Sequence, residues 1–142
     1  MTALPGLDGL LDLEYLEIGA ERVVARWTVG PQHLQPFGIV HGGAYCSAHE
    51  STASMGAQIW LGTLGIAVGV NNNTDFLRQA GKGEVITTTA VPIHQGRKQQ
   101  LWRMESTKAD GKAVAIGQVR IQNLDTPPSD DVIAGIMKFL SK

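Results

Sequence analysis

The sequence predicts an α+β domain in which one long helix lies against an antiparallel sheet, and three observations carry the prediction. Residues 44–61 hold neither Gly-Pro breaks nor strand alternation, and almost no charge. Segments rich in Val, Ile and Thr flank them on both sides. Asp110-Gly111 is a strong hairpin turn between two alternating stretches.

Taken in order, Leu13–Ile18 and Arg22–Val29 read as two strands of a hairpin joined at Gly19-Ala20, with Gly30-Pro31 closing the unit. A turn-rich stretch, Pro36 to Gly43, leads into one helix over about 43–61. Strands are then expected at Ile66–Phe76, Glu84–His94, Gln99–Thr107 and from Ala113 to about Asn123, running as an antiparallel meander. Beyond Pro127-Pro128, Ser129 is placed to cap a short helix that carries Asp130 and Asp131 in its first turn. The 142 residues are expected to form one domain, with a core over about 13–123 and a helical tail over about 129–141.

Composition excludes several classes. Twelve Lys plus Arg against thirteen Asp plus Glu leave a net charge of -1, which gives no basic excess for a nucleic-acid partner. The lone Cys46 permits neither an intrachain disulfide nor a thiolate zinc cluster, and fits a reducing cytosol. The start lacks the pattern of a signal peptide and no run approaches a membrane span, so the expected location is cytoplasmic, with no membrane contact. Four histidines, His33, His41, His49 and His94, show no metal-binding pair spacing, and no metal site is expected. No Gly-x-Ser-x-Gly elbow supports a serine nucleophile, and Ser47 and Ser51 read as small packing residues.

The helix itself is unusual. Ala44, Ser47, Ala48, Ser51, Ala53, Ser54, Gly56 and Ala57 crowd it, so that it is expected to be enclosed on most sides. Glu50 is its only formal charge apart from His49, and no Lys or Arg stands three or four residues away. Leaving a carboxylate in such a setting is costly unless hydrogen bonds or water compensate, and acids kept at that cost are often functional. At the other end, Gly42-Gly43 starts the helix with backbone N–H groups that are open to an anion or a developing oxyanion. Eight residues at a rise of about 1.5 Å each put Gly42 and Glu50 roughly 12 Å apart. If both act on one carbonyl, two such helices lie antiparallel across a two-fold axis.

The stretch Gly38-Ile39-Val40-His41-Gly42-Gly43-Ala44, with an acid nine residues after the histidine, resembles the PaaI-like branch of the hotdog thioesterases. The resemblance extends from about Leu13 to Asn123 and includes Asp75-Phe76-Leu77-Arg78-Gln79-Ala80 and His94-Gln95-Gly96-Arg97-Lys98. It implies a hotdog fold and hydrolysis of an acyl-CoA thioester with no cofactor, coenzyme A being part of the substrate. With the helix geometry above, the expected assembly is a homo-oligomer, a dimer completing the site and a tetramer of two dimers as the larger form. Position by position, the resemblance gives Glu50 the place of nucleophile or general base and the Gly42 N–H that of the carbonyl-polarising donor. It places Gln35 to position water or leaving group, His41 to orient its neighbours, and Ser54 where some members hold the hydrolytic water. The family's acid is often Asp, and Asn71-Asn72-Asn73 replaces a more apolar strand pattern. Asn73 and its neighbours either line the acyl pocket or cap an edge strand.

Between Phe76 and Arg103, five basic residues face a single acid, Glu84, and read as a local positive patch. Arg78, Arg97 and Lys98 suit the phosphates of coenzyme A. Two alternatives stand beside hydrolysis. A non-catalytic acyl-CoA binder would keep the fold without turnover, and a hydroxyacyl dehydratase would want a histidine opposite the acid, for which His33 and His41 are wrongly spaced.

Overall fold

The computed structural model describes residues 4–141. A short helix α1 (Gly6–Leu10) precedes the hairpin β1 (Glu14–Ile18) and β2 (Val23–Thr28), and a single 3-10 turn at Pro31–His33 follows it. Then come α2 (Gly42–Leu61), β3 (Ile66–Phe76), β4 (Val85–Gln95), β5 (Gln99–Thr107), β6 (Ala113–Leu124) and α3 (Asp130–Leu140). The two short helical pieces near the start lie outside the sequence reading, because neither is long enough to establish a period.

The six strands form one sheet in the order β1-β2-β4-β5-β6-β3, every neighbouring pair antiparallel. This corrects the expected meander. β4, β5 and β6 do pair in succession, but β3 crosses to the far edge beside β6 while β2 pairs with β4. Alternation along a strand sets which side chains face inward but does not name the partner strand. α2 connects β2 to β3 across the face of the sheet, so the strand that follows it emerges at the opposite edge.

β5 illustrates how the sequence builds the face under the helix. Gln100, Trp102, Met104 and Ser106 point inward, alternating with exposed Gln99, Arg103 and Glu105. α2 lies on that face, with Ala48, Ala53 and Ala57 wholly buried. Its small residues have a specific reason. A Cβ on Gly56 would press into the Trp102 ring, so the glycine lets helix and sheet close together. The buried side chains fall into two clusters along α2. Trp27, Tyr45 and Ile86 mark the one near its start, and Trp102, Met104 and Ile121 the one near its end.

The wrapped helix and antiparallel sheet are those of a hotdog fold. α3 begins at the foreseen cap, with Ser129 Oγ accepting from Val132 N–H at 3.4 Å. Its Val132, Met137 and Leu140 remain exposed on this chain.

Candidate active site

Glu50 sits midway along α2, half-buried, facing β3. Its Oε2 accepts from Asn72 Nδ2 at 3.1 Å, and the same amide donates to the Cys46 carbonyl at 2.9 Å. The missing partner of the carboxylate is therefore an asparagine from the neighbouring strand, reached across 22 positions of chain. Gly69 completes the cradle. A Cβ there would collide with Glu50 Oε1, so glycine at this point of β3 is what admits the carboxylate against the strand backbone. The β3–β6 register shifts between Gly69 and Asn71, and that bulge turns Asn72 and Thr74 toward the helix while Asn73 stays exposed.

A cavity of about 290 Å³ opens beside the acid, lined by Leu7, Cys46, Ser47, Glu50, Ser51 and Asn72. Ser54 does not line it. The resemblance gives Ser54 a place at the hydrolytic water, but the cavity beside Glu50 is reached by Ser47 and Ser51. Ser51 Oγ also donates to Asp8 Oδ1 at 2.5 Å, which ties α1 over the cavity mouth. Neither Asp8 nor Leu7 stood out in the sequence, since contacts at a separation of 43 residues leave no local pattern.

The glycine end of α2 forms a second cavity of about 330 Å³, lined by Gln35, Ile39, Val40, Gly42, Tyr45, Phe76, Leu77, Arg78 and Gln79. His41 is the N-cap. Its Nδ1 accepts from Gly43 N–H at 2.8 Å, and its carbonyl accepts from Ala44 N–H at 2.9 Å. Gly43's amide is therefore engaged, and the Gly42 N–H meets no acceptor among the described residues. Gln35 Oε1 accepts from Phe37 N–H, which fixes the side-chain amide and leaves its NH₂ group to donate. Tyr45, its phenol pushed up to about 12 by burial and then by the nearby charge of Glu84, stays neutral and packs on Phe76 with ring centroids 6.1 Å apart.

The basic residues divide. Arg78 borders the Gly42 cavity and donates from Nη1 to the Ala113 carbonyl at 2.7 Å. Arg97 and Lys98 lie in the β4–β5 turn, whose carbonyls hold Asn123 at the far end of β6. Neighbours along the chain are thus at opposite ends of the sheet, so a single chain carries no continuous patch joining the three.

His49, next to the acid but on the buried side of α2, is held neutral by burial, its pKa lowered from 6.5 to about 4. Unfolded chains take up a proton at this position near pH 6.5, whereas the folded protein resists until about pH 4. Stability is therefore expected to fall as pH drops through that window, by on the order of 3 kcal/mol from this group alone. Urea unfolding at about pH 7.5 and about pH 4.5 measures it, and an unchanged midpoint would contradict the assignment.

A long helix wrapped by a six-stranded antiparallel sheet is the framework of the hotdog fold. A thioesterase-superfamily sequence profile matches residues 37–115. Rv1847 of Mycobacterium tuberculosis, which carries an esterase name, is 48% identical over 124 residues, covering 85% of this chain and 88% of that protein. Its solved structure matches with a TM-score of 0.81 at 48% identity, over 85% of this chain and 98% of that one. The 1,4-dihydroxy-2-naphthoyl-CoA hydrolase of Escherichia coli K12 is 31% identical over 104 residues, 73% of this chain and 76% of that protein. The phenylacetic acid degradation protein PaaI of Thermus thermophilus, solved as a mutant, matches with a TM-score of 0.74 at 25% identity over 80% of this chain and 95% of that one. The chain belongs to the thioesterase superfamily, as a PaaI-like hotdog enzyme of the thioester hydrolase class. Among the described residues, no helix is long and apolar enough to cross a membrane.

Proposed function

We propose that this chain hydrolyses an acyl-CoA thioester as a homodimer, with Glu50 of one copy and Gly42 of a second copy serving one reaction centre. One observation carries the reading. The acid and the open amide line different cavities of the same chain, with no residue in common. A thioester carbonyl spans only a few ångströms, so the two groups meet it together only if a second copy brings its helix start to the first copy's acid.

In that arrangement the Gly42 N–H polarises the carbonyl and receives the charge that develops on its oxygen. Glu50 either attacks the thioester carbon or removes a proton from the attacking water. If it attacks, the C–S bond breaks, coenzyme A leaves as the thiolate and takes up a proton, and water then cleaves the acyl-glutamyl anhydride. If it acts as base, water adds directly and the proton passes from Glu50 to the departing sulfur. Gln35, beside Gly42, places its NH₂ group toward water or the sulfur. Arg78, Arg97 and Lys98 supply the cations for the nucleotide phosphates, with the two ends of the sheet contributed by different copies. No cofactor enters the reaction. A tetramer of two dimers and a cytoplasmic location complete the reading.

The name of the Escherichia coli relative gives a bicyclic aromatic acyl group first place in a substrate panel. Release of free thiol from a panel of aromatic and straight-chain acyl-CoAs tests the activity. Turnover of at least one member is expected. Binding of acyl-CoA without thiol release from any of them would instead identify a non-catalytic binder.

A further inference from the structure

A line of hydrogen bonds joins Glu50 to the core on the other side of α2. Trp27 Nε1 donates to Thr88 Oγ1 at 3.2 Å, and Thr88 and Ser106 hydroxyls lie 2.8 Å apart. Ser106 Oγ is 2.9 Å from His49 Nε2, and His49 Nδ1 is 3.2 Å from Thr74 Oγ1. Thr74 donates to Asn72 Oδ1 at 2.8 Å, and Asn72 Nδ2 donates to Glu50 Oε2 at 3.1 Å. Thr88, Ser106 and His49 are wholly buried, and Trp27 nearly so.

The direction of each bond follows from the Glu50 end. Asn72 cannot be flipped, because its NH₂ group faces two acceptors, the Cys46 carbonyl and the Glu50 carboxylate. Its Oδ1 must then accept, so the Thr74 hydroxyl gives its proton to Asn72 and is free only to accept from His49. That places the histidine proton on Nδ1. A neutral ring leaves Nε2 as an acceptor, which takes the Ser106 hydroxyl proton. Ser106 in turn accepts from Thr88, whose oxygen accepts from the indole N–H, a group that only donates. The assignment is forced from the Glu50 end and the indole N–H is compatible with it, so every donor points toward the acid. Such aligned bonds polarise one another inside a low-dielectric interior.

We propose that Asn72, Thr74 and His49 are positioning residues that lock the Glu50 carboxylate through Oε2, leaving Oε1 as the reacting oxygen. Oε1 meets no donor among the described residues and lies over Gly69, while Glu50 itself lines the cavity. The inference rests on Glu50 being the reacting acid. It adds that the acid's aim is set from the core rather than by the substrate.

Thr74 is the place to test it, being only half-buried and replaceable by Val with little change of shape. Thr74→Val is expected to lower kcat roughly ten- to a hundredfold with KM within about twofold, and Thr74→Ser to recover most of it. Adding Thr74→Val to Asn72→Ala is expected to cost nothing further, since the two act in one line. Nitrogen-15 NMR of the folded wild type should report His49 as the Nδ1–H tautomer. An Nε2–H tautomer overturns the proposal without reference to activity. So does wild-type kcat in Thr74→Val when Glu50→Gln is inactive, or equal loss of kcat and melting temperature in the Val and Ser variants. Full turnover by Glu50→Gln would instead remove the reading on which the proposal stands.

Discussion

Glu50→Gln is expected to lower kcat for thioester hydrolysis by roughly 10²- to 10⁴-fold while leaving the fold intact. The amide has the shape of the carboxylate and its oxygen can still accept from Asn72 Nδ2, so the cradle at Gly69 stays filled. What is lost is the negative charge, and with it both the nucleophile and the base. Steady-state kinetics on the best acyl-CoA of the panel, with circular dichroism as a control for folding, measures the effect. Turnover within about threefold of wild type would mean that another group does the chemistry.

Gly42→Pro is expected to cost about 10²- to 10³-fold in kcat by deleting a single hydrogen-bond donor. A backbone N–H is hard to remove by mutation, but this position permits it. Gly42 is the first residue of α2, where proline is favoured because its missing N–H has no helical partner. His41 before it already has φ -65 and ψ 133, the extended conformation that a following proline demands. Side-chain atoms at position 42 press on the outer edge of the Phe76 ring, which is half-exposed and free to swing aside. Helix content is thus expected to survive while the oxyanion donor does not. Unchanged kcat in a folded variant would remove Gly42 from the reaction.

Much of this architecture was legible because it is local. The long charge-poor helix, the hairpin at Asp110-Gly111 and the Ser129 cap each declare themselves within a few residues, and the structure places them where the sequence did. Strand order was not legible. The pattern of β3 is equally compatible with pairing to β4 or to β6, and the choice is made by the path of α2 across the sheet. The same divide runs through the site. Glu50 and Gly42 stood out through the composition of their own helix, whereas Asn72 and Thr74 act only because the bulge at Gly69–Asn71 turns them toward it. A signal for Asn72 was present, since it stands in the run of asparagines where an apolar pattern was expected, and Thr74, two residues on, shares its face of the strand. The basic patch failed in the opposite way, because proximity along the chain brought Arg78, Arg97 and Lys98 together on paper while antiparallel strands carried them to opposite ends of the sheet.

Mixing the two inactive variants tests the shared site most directly. In a heterodimer of Glu50→Gln with Gly42→Pro, one reaction centre inherits both substitutions and the other inherits neither. Random re-pairing after brief dissociation should therefore restore about a quarter of wild-type activity, since about half the dimers are mixed and each has one intact centre. Activity that never rises above that of the separate variants, with mixed dimers demonstrably formed, would contradict a site built from two chains.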